Sequence, residues 1–207
     1  MRKPTVEATA EELSLAPSNV PRESETAGLV RRARAGDEAA FAVLVERHER
    51  MVLGTGKRLL GRRDLAEDAA QEAFLRLHRH LGRFDESREL GPWLYRVVVN
   101  VCRDISRRQR LEQTVAFSAA EPESERDSPA VLDQALTRDE QRRVVQAALL
   151  TLPLKEREAI VLRDIEGLTT SEVARILGSS EGTVRSQIST GRLKIKRYLE
   201  AKKEGAR

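Results

Sequence analysis

An acidic, proline-bearing stretch at 111–136 separates two blocks of helical periodicity, and that division most constrains what this chain can fold into. Residues 28–110 and 137–200 repeat apolar side chains at spacings of three and four. Between them lie Pro122, Pro129, several serines and the run Glu121, Glu123, Glu125 and Asp127. Such a segment has too little apolar surface to offset the entropy of ordering, so it reads as an extended linker. Residues 1–27 place Pro4, Pro17 and Pro21 among Ser, Thr and Glu without an apolar period, which predicts a disordered leader, and 201–207 form a short tail. No long alternation of apolar and polar residues argues for a sheet. Val97, Val98 and Val99 are β-prone, but the helical spacing around them covers more residues. The expected fold is all-α: two small helical domains joined by a flexible acidic linker.

Charge follows the same division. The leader carries a net −2, residues 28–110 +6, the linker −5 and residues 137–207 +5, which sum to the formal +4 of the chain. Two basic blocks flanking an acidic connector suit two polyanion-binding modules, since clustered Lys and Arg gain from counterion release on nucleic acid. No stretch approaches the roughly 20 apolar residues that cross a bilayer, and the start lacks a signal-peptide core. A cytoplasmic protein without membrane insertion is expected. Cys102 stands alone and forms no internal disulfide.

In the first block Asp37 is placed to cap a helix bearing Phe41, Leu44, Val45 and Val52. Asp64 with Glu67 three residues on has the pattern of a capping box for the next helix, ending near Gly82. A third helix is expected from Gly91-Pro92 toward Arg110.

On the second helix Ala66, Ala70, Phe74, Leu77 and Leu81 form an apolar stripe, while Asp68, Gln71, Glu72 and Leu75 share another face. By itself that face reads first as a solvated surface, with a partner-docking surface as the alternative. On the third helix Leu94, Val97, Val98, Val101 and Ile105 face the core, and Trp93, Arg96, Asn100, Arg103 and Arg107 line another side. An indole to stack on a base, an amide to read its edge and arginines for phosphates suit locally melted DNA. The alternative is a core Trp93 with solubilising arginines.

In the second block Thr169 and Glu172 form a capping-box pattern, Gly178 a turn, and a helix beginning after Ser180 buries Val184, Ile188 and Ile195. This is helix-turn-helix form. Gly182, Ser186, Ser189 and Thr190 lie opposite the buried positions, with Ser180 and Thr183 at the start and Arg185 and Arg192 flanking. Short polar side chains let the backbone approach DNA while the arginines hold phosphates or guanine edges.

The stretches DLAEDAAQEAFLRLHRHLGRF, GPWLYRVVVNVCRDISRRQR and LPLKEREAIVLRDIEGLTTSEVARILGSSEGTVRSQI resemble, in order, those of extracytoplasmic-function (ECF) sigma factors of the sigma-70 family. The resemblance implies that 28–110 is a region 2 domain, with Asp68, Gln71 and Glu72 in the polymerase-docking motif. The loop from Phe84 to Leu90, including Asp85, Ser87 and Arg88, would be the specificity loop for a flipped minus-10 base, and Asn100 its base-reading asparagine. Residues 137–200 would be a region 4 domain binding the minus-35 element, and the linker the segment threaded through the polymerase. Core RNA polymerase, promoter DNA and an anti-sigma factor are the implied partners. Leu90 stands where relatives carry an aromatic residue, and Gln187, Ser189, Thr190 and Gly191 replace the arginine and aromatic or histidine usual in that recognition helix.

A regulator using only the helix-turn-helix is the rival reading; it leaves Asp68, Gln71 and Glu72 without a role. No P-loop, Ser-His-Asp arrangement or metal cluster points to an enzyme, a cofactor or a metal, and His48, His78, His80 and Cys102 read as structural or surface residues.

Overall fold

The computed structural model describes residues 23–85, 88–116 and 137–204. Among these there is no strand. Eight α-helices follow in order: α1 Glu23–Arg34, α2 Glu38–Leu60, α3 Arg63–His80, α4 Leu90–Ala116, α5 Arg138–Leu150, α6 Leu154–Ile160, α7 Thr170–Leu177 and α8 Glu181–Glu204. A 3₁₀ turn, Leu81–Arg83, follows α3, and a π-helical turn, Val161–Ile165, continues α6.

Asp37 does cap α2, accepting the Ala40 amide at 3.0 Å, and Gly61 ends that helix in the left-handed conformation at φ 80°. The Asp64–Glu67 capping box is not formed. Helix α3 begins one residue before Asp64, whose carboxylate turns back to Arg62, while Glu67 pairs with Arg63 at 2.7 Å. An aspartate inside the first turn still complements the helix dipole, but it sits too far along to cap. Three boundaries also shift. Helix α1 starts at Glu23, ahead of Gly28, and is tied to α2 through Arg47–Glu25 at 2.7 Å. Helix α4 continues past Arg110 to Ala116, into the expected linker, and α8 reaches Glu204. The acidic run Glu121–Asp127, most of the leader and Ser87 lie outside the described residues.

Helices α2, α3 and α4 pack mutually, with α1 against α2. Leu44, Leu59, Leu77, Leu94 and Val98 are fully enclosed there. Gly56 lets α2 approach α3 closely: a Cβ there would lie 3.4 Å from the Ala66 Cα. In the second half α6 and α7 pack on α8 around Leu162, Val173 and Val184.

The two halves are not separate bodies. One continuous cluster of buried apolar side chains runs from Val52, Val99 and Cys102 to Leu149, Val161 and Val173. The C-terminal end of α2 seats the second half: Arg157 donates to the Leu59 carbonyl at 2.5 Å and Gln146 to that of Lys57 at 3.0 Å. A side chain at Gly61 would collide with Leu150.

The capping box of α7 forms as the spacing predicts. The Glu172 amide donates to Thr169 Oγ1 at 3.2 Å and the Thr169 amide to Glu172 Oε2 at 2.7 Å. The Thr169 hydroxyl also donates to Glu172 Oε2 at 2.6 Å, and that bond, followed by the one from the Thr169 amide, holds the Glu172 carboxyl below its usual 4.5. Thr169→Ala should destabilise the fold by about 1 kcal/mol in urea unfolding at pH 7. Because the folded pKa is depressed, the Glu172 contribution is present above about pH 4.5 and fades as pH falls below it. A variant as stable as the wild type at neutral pH would contradict the cap.

Candidate nucleic-acid and polymerase interfaces

Helix α3 exposes Asp68, Gln71 and Leu75, the last 45% accessible, away from the Ala66–Ala69–Ala73–Leu77 side that faces α2 and α4. Glu72 is half-buried because Arg76 Nε donates to it at 2.8 Å. Arg76 also lies 3.4 Å from Asp104, which accepts from Arg107 at 2.8 Å. The docking face predicted on α3 is thus joined by a row of alternating charges to α4.

Beside that row lies a cleft of about 470 Å³, open to solvent, lined by Arg76, His80, Arg83, Phe84, Arg88, Trp93, Arg96, Val97 and Asn100. The Trp93 indole meets Phe84 edge-on, with centroids 5.8 Å apart, and Phe84 is itself buried. Such packing fixes the indole without covering its outer surface. Phe84, Arg88, Trp93, Arg96 and Asn100, chosen from sequence, therefore meet at one place. Arg76, His80 and Arg83 join them from α3 and the 3₁₀ turn, and sequence reasoning missed these three. Their signal was the step of three and four from 76 to 83, masked because that side of α3 had been read only for its apolar stripe. Asp85, next to Phe84, accepts from Arg88 at 3.2 Å, which offsets part of its negative charge beside the cleft.

Arg103 does not join the cleft. Its guanidinium makes two bonds of 2.7 and 2.6 Å to Glu158 of α6, whose side chain is 1% exposed. Arg107 is exposed but paired with Asp104.

In α8, Ser180 Oγ accepts the Thr183 amide at 3.1 Å, and Gly182, Thr183, Arg185, Ser186, Ser189 and Thr190 are all exposed, while Val184 and Ile188 are buried. Arg185 pairs loosely with Glu181 at 3.2 Å. Arg192 is bound at 2.9 and 2.6 Å by Asp164 of the π turn. Gly191, which sequence reasoning took as a weak point of the helix, is buried: a Cβ there would lie 2.9 Å from Ile160 Cγ1. The helix loses about 1 kcal/mol of propensity there and gains close approach of α8 to α6.

His48 is buried, with Nδ1 donating to the Leu44 carbonyl at 2.8 Å; burial lowers its pKa, so it is a neutral core group. Burial, reinforced by the Glu158 charge, pushes the Cys102 thiol up to about 12, which leaves it inert as a nucleophile.

Residues 44–112 match the family model for sigma-70 region 2, and residues 142–195 match that for sigma-70 region 4. The chain is 34% identical over 165 residues to the ECF RNA polymerase sigma factor SigM of Mycobacterium tuberculosis, covering 80% of each chain. This chain belongs to the ECF sigma factors. Among solved structures, CnrH in complex with the cytosolic domain of CnrY superposes with a TM-score of 0.60 at 28% identity, covering 85% of this sigma factor and 97% of that chain. The sigma factor RpoE in complex with the anti-sigma factor NepR, from Bartonella quintana, superposes with the same score at 21% identity over 79% and 96% of the two chains, a likeness of fold. A sigma factor directs RNA polymerase to promoters, and the helix-turn-helix of this one is half of that apparatus rather than an independent regulator.

Gly191→Leu tests the α6–α8 contact. Overpacking should cost about 1–3 kcal/mol in urea unfolding despite the better helix propensity of leucine. Equal or greater stability would show that the approach of the two helices does not require glycine.

Proposed function

We propose that this ECF sigma factor divides promoter recognition between the cleft on α3–α4 and the exposed face of α8, and docks on the polymerase through the α3 face of Asp68, Gln71, Glu72 and Leu75. The observation that carries this reading is the meeting of Trp93, Asn100 and five cationic or titratable partners, Arg76, His80, Arg83, Arg88 and Arg96, around one open cleft. A base turned out of the minus-10 strand has there an aromatic surface, an amide for its edge and guanidinium groups for the phosphates on either side.

The α8 face offers Ser186, Ser189 and Thr190 as short polar contacts to a minus-35 duplex, with Arg185 for phosphate. Arg192 holds Asp164 with Nε and Nη2, so readout of this element rests chiefly on small groups and backbone approach. The stacking, hydrogen-bonding and cationic groups gathered at the cleft and on α8 support a binding role rather than an enzymatic one. Solved relatives of this fold held by partner proteins support an anti-sigma factor as its cytoplasmic partner. No described helix is long and apolar enough to cross a membrane.

Two substitutions test the assignments. Asp68→Lys with Glu72→Lys should abolish capture of core RNA polymerase in a pull-down while circular dichroism stays helical. Because Glu72 also holds Arg76, Asp68→Lys alone separates docking from packing and should weaken capture at least tenfold. Full capture by both variants would remove this face from the interface. Asn100→Ala should leave capture intact and reduce permanganate reactivity of promoter thymines in the assembled complex. Reactivity equal to the wild type would take Asn100 out of strand opening.

A further inference from the structure

The arrangement of the two halves has a geometric consequence. Elements named for positions 10 and 35 upstream of a transcription start lie about 25 base pairs apart, or about 85 Å of duplex at about 3.4 Å per pair. A compact body of 207 residues has a radius of gyration of about 17 Å and is about 45 Å across. The packed form described above therefore cannot reach both elements, and the halves must part for promoter binding. The 20 residues between Ala116 and Thr137 can span about 70 Å when extended, enough with the two domains themselves to cover that distance.

What holds the halves together is chemically specific. Two glutamates of the second half are inserted into the first. Glu158, from α6, is enclosed and held by both arms of Arg103. Glu166, presented by the π turn and with its side chain 6% exposed, accepts from Thr55 at 3.1 Å, Arg58 at 2.7 Å and Tyr95 at 2.8 Å. Every one of those four donors belongs to α2 or α4. The apolar cluster between the halves supplies attraction without direction, whereas these bonds fix one docking pose. A buried ion pair is also cheap to undo when both ions return to water, because its Coulombic gain is nearly balanced by desolvation.

We propose that Glu158 and Glu166 form a carboxylate latch that keeps the free sigma factor closed and occupies Arg103 with an internal anion in place of promoter phosphate. The polymerase-docking face of α3 and the cleft at Asn100 stay open in the closed form, so the polymerase can engage first and the halves part afterwards. The role of Arg103 toward phosphate rests on the function proposed above; the closure does not.

The test compares the full-length protein with Glu158→Gln/Glu166→Gln and with a control of equal charge change outside the contact, Glu67→Gln/Glu200→Gln. Small-angle scattering should show a larger radius of gyration for the latch variant only. Binding to a fluorescein-labelled single-stranded 20-mer of random sequence should steepen, relative to the control, by about 0.7 in the slope of log K against log salt for each freed cation, Arg103 and Arg58, and adding Arg103→Gln to the latch variant should take back about 0.7 of it. An unchanged radius would overturn the latch. An expanded protein with the control's slope would leave the latch standing and remove Arg103 from phosphate binding, overturning that half of the proposal and the assignment it rests on. Should the latch variant lose helicity by circular dichroism, Arg103→Glu alone and with Glu158→Arg decide: expansion by the single reversal and a compact radius restored by the exchanged pair support the latch, and equal radii for both overturn it.

Discussion

A carboxylate removed from water must keep a cation beside it, and Glu158 meets that requirement only across the boundary between the two halves. The pose of region 4 on region 2 follows from that constraint. With Glu158 against Arg103, the π turn brings Glu166 to Tyr95, Thr55 and Arg58, and Arg157 reaches the carbonyls at the ends of both α2 and α5. Two points of the second half, Arg157 and Glu158 on one turn of α6 and Glu166 just after the π turn, thereby engage the first half. The wider turn of the π segment, whose Glu166 amide bonds back to Val161 at 2.9 Å, is what rotates the last of these acids into place.

Much of the fold was legible because helical periodicity and caps are local. Asp37, the Thr169–Glu172 box and Gly178 act within a few residues of themselves, and each formed as its spacing implied. Asp64 shows the limit of such reading: the same Asp-x-x-Glu spacing was met by arginines on either side, and competing ion pairs took both acids. The cleft was legible in its α4 half, where one helix face carries the chemistry. Its α3 half was not, because Arg76, His80 and Arg83 reach the cleft only once α3 has packed beside α4.

Contacts between the halves could not be read from the chain at all. Glu158 and Glu166 look like ordinary surface acids in a charged sequence, and nothing local marks them as buried. Arg103 lies at helical spacing from Asn100, so the sequence assigned it to the cleft. The structure gives it a partner 55 residues away. Pairings of that range depend on the whole fold, and no periodicity encodes them.

The glycine at position 191 also bounds how this protein's promoter preference can change. Beyond Thr190 the recognition helix leans on Ile160 and Glu156, and its next position has no room for a side chain. On the reading proposed for α8, the exposed positions from Gly182 to Thr190 can vary without touching α6, whereas position 191 cannot vary unless Ile160 moves. On that reading, a lineage that adopted a new upstream element could rebuild its contacts within that window with α6 unchanged. The packing of two helices thereby sets the size of the vocabulary open to evolution and to the design of orthogonal promoters.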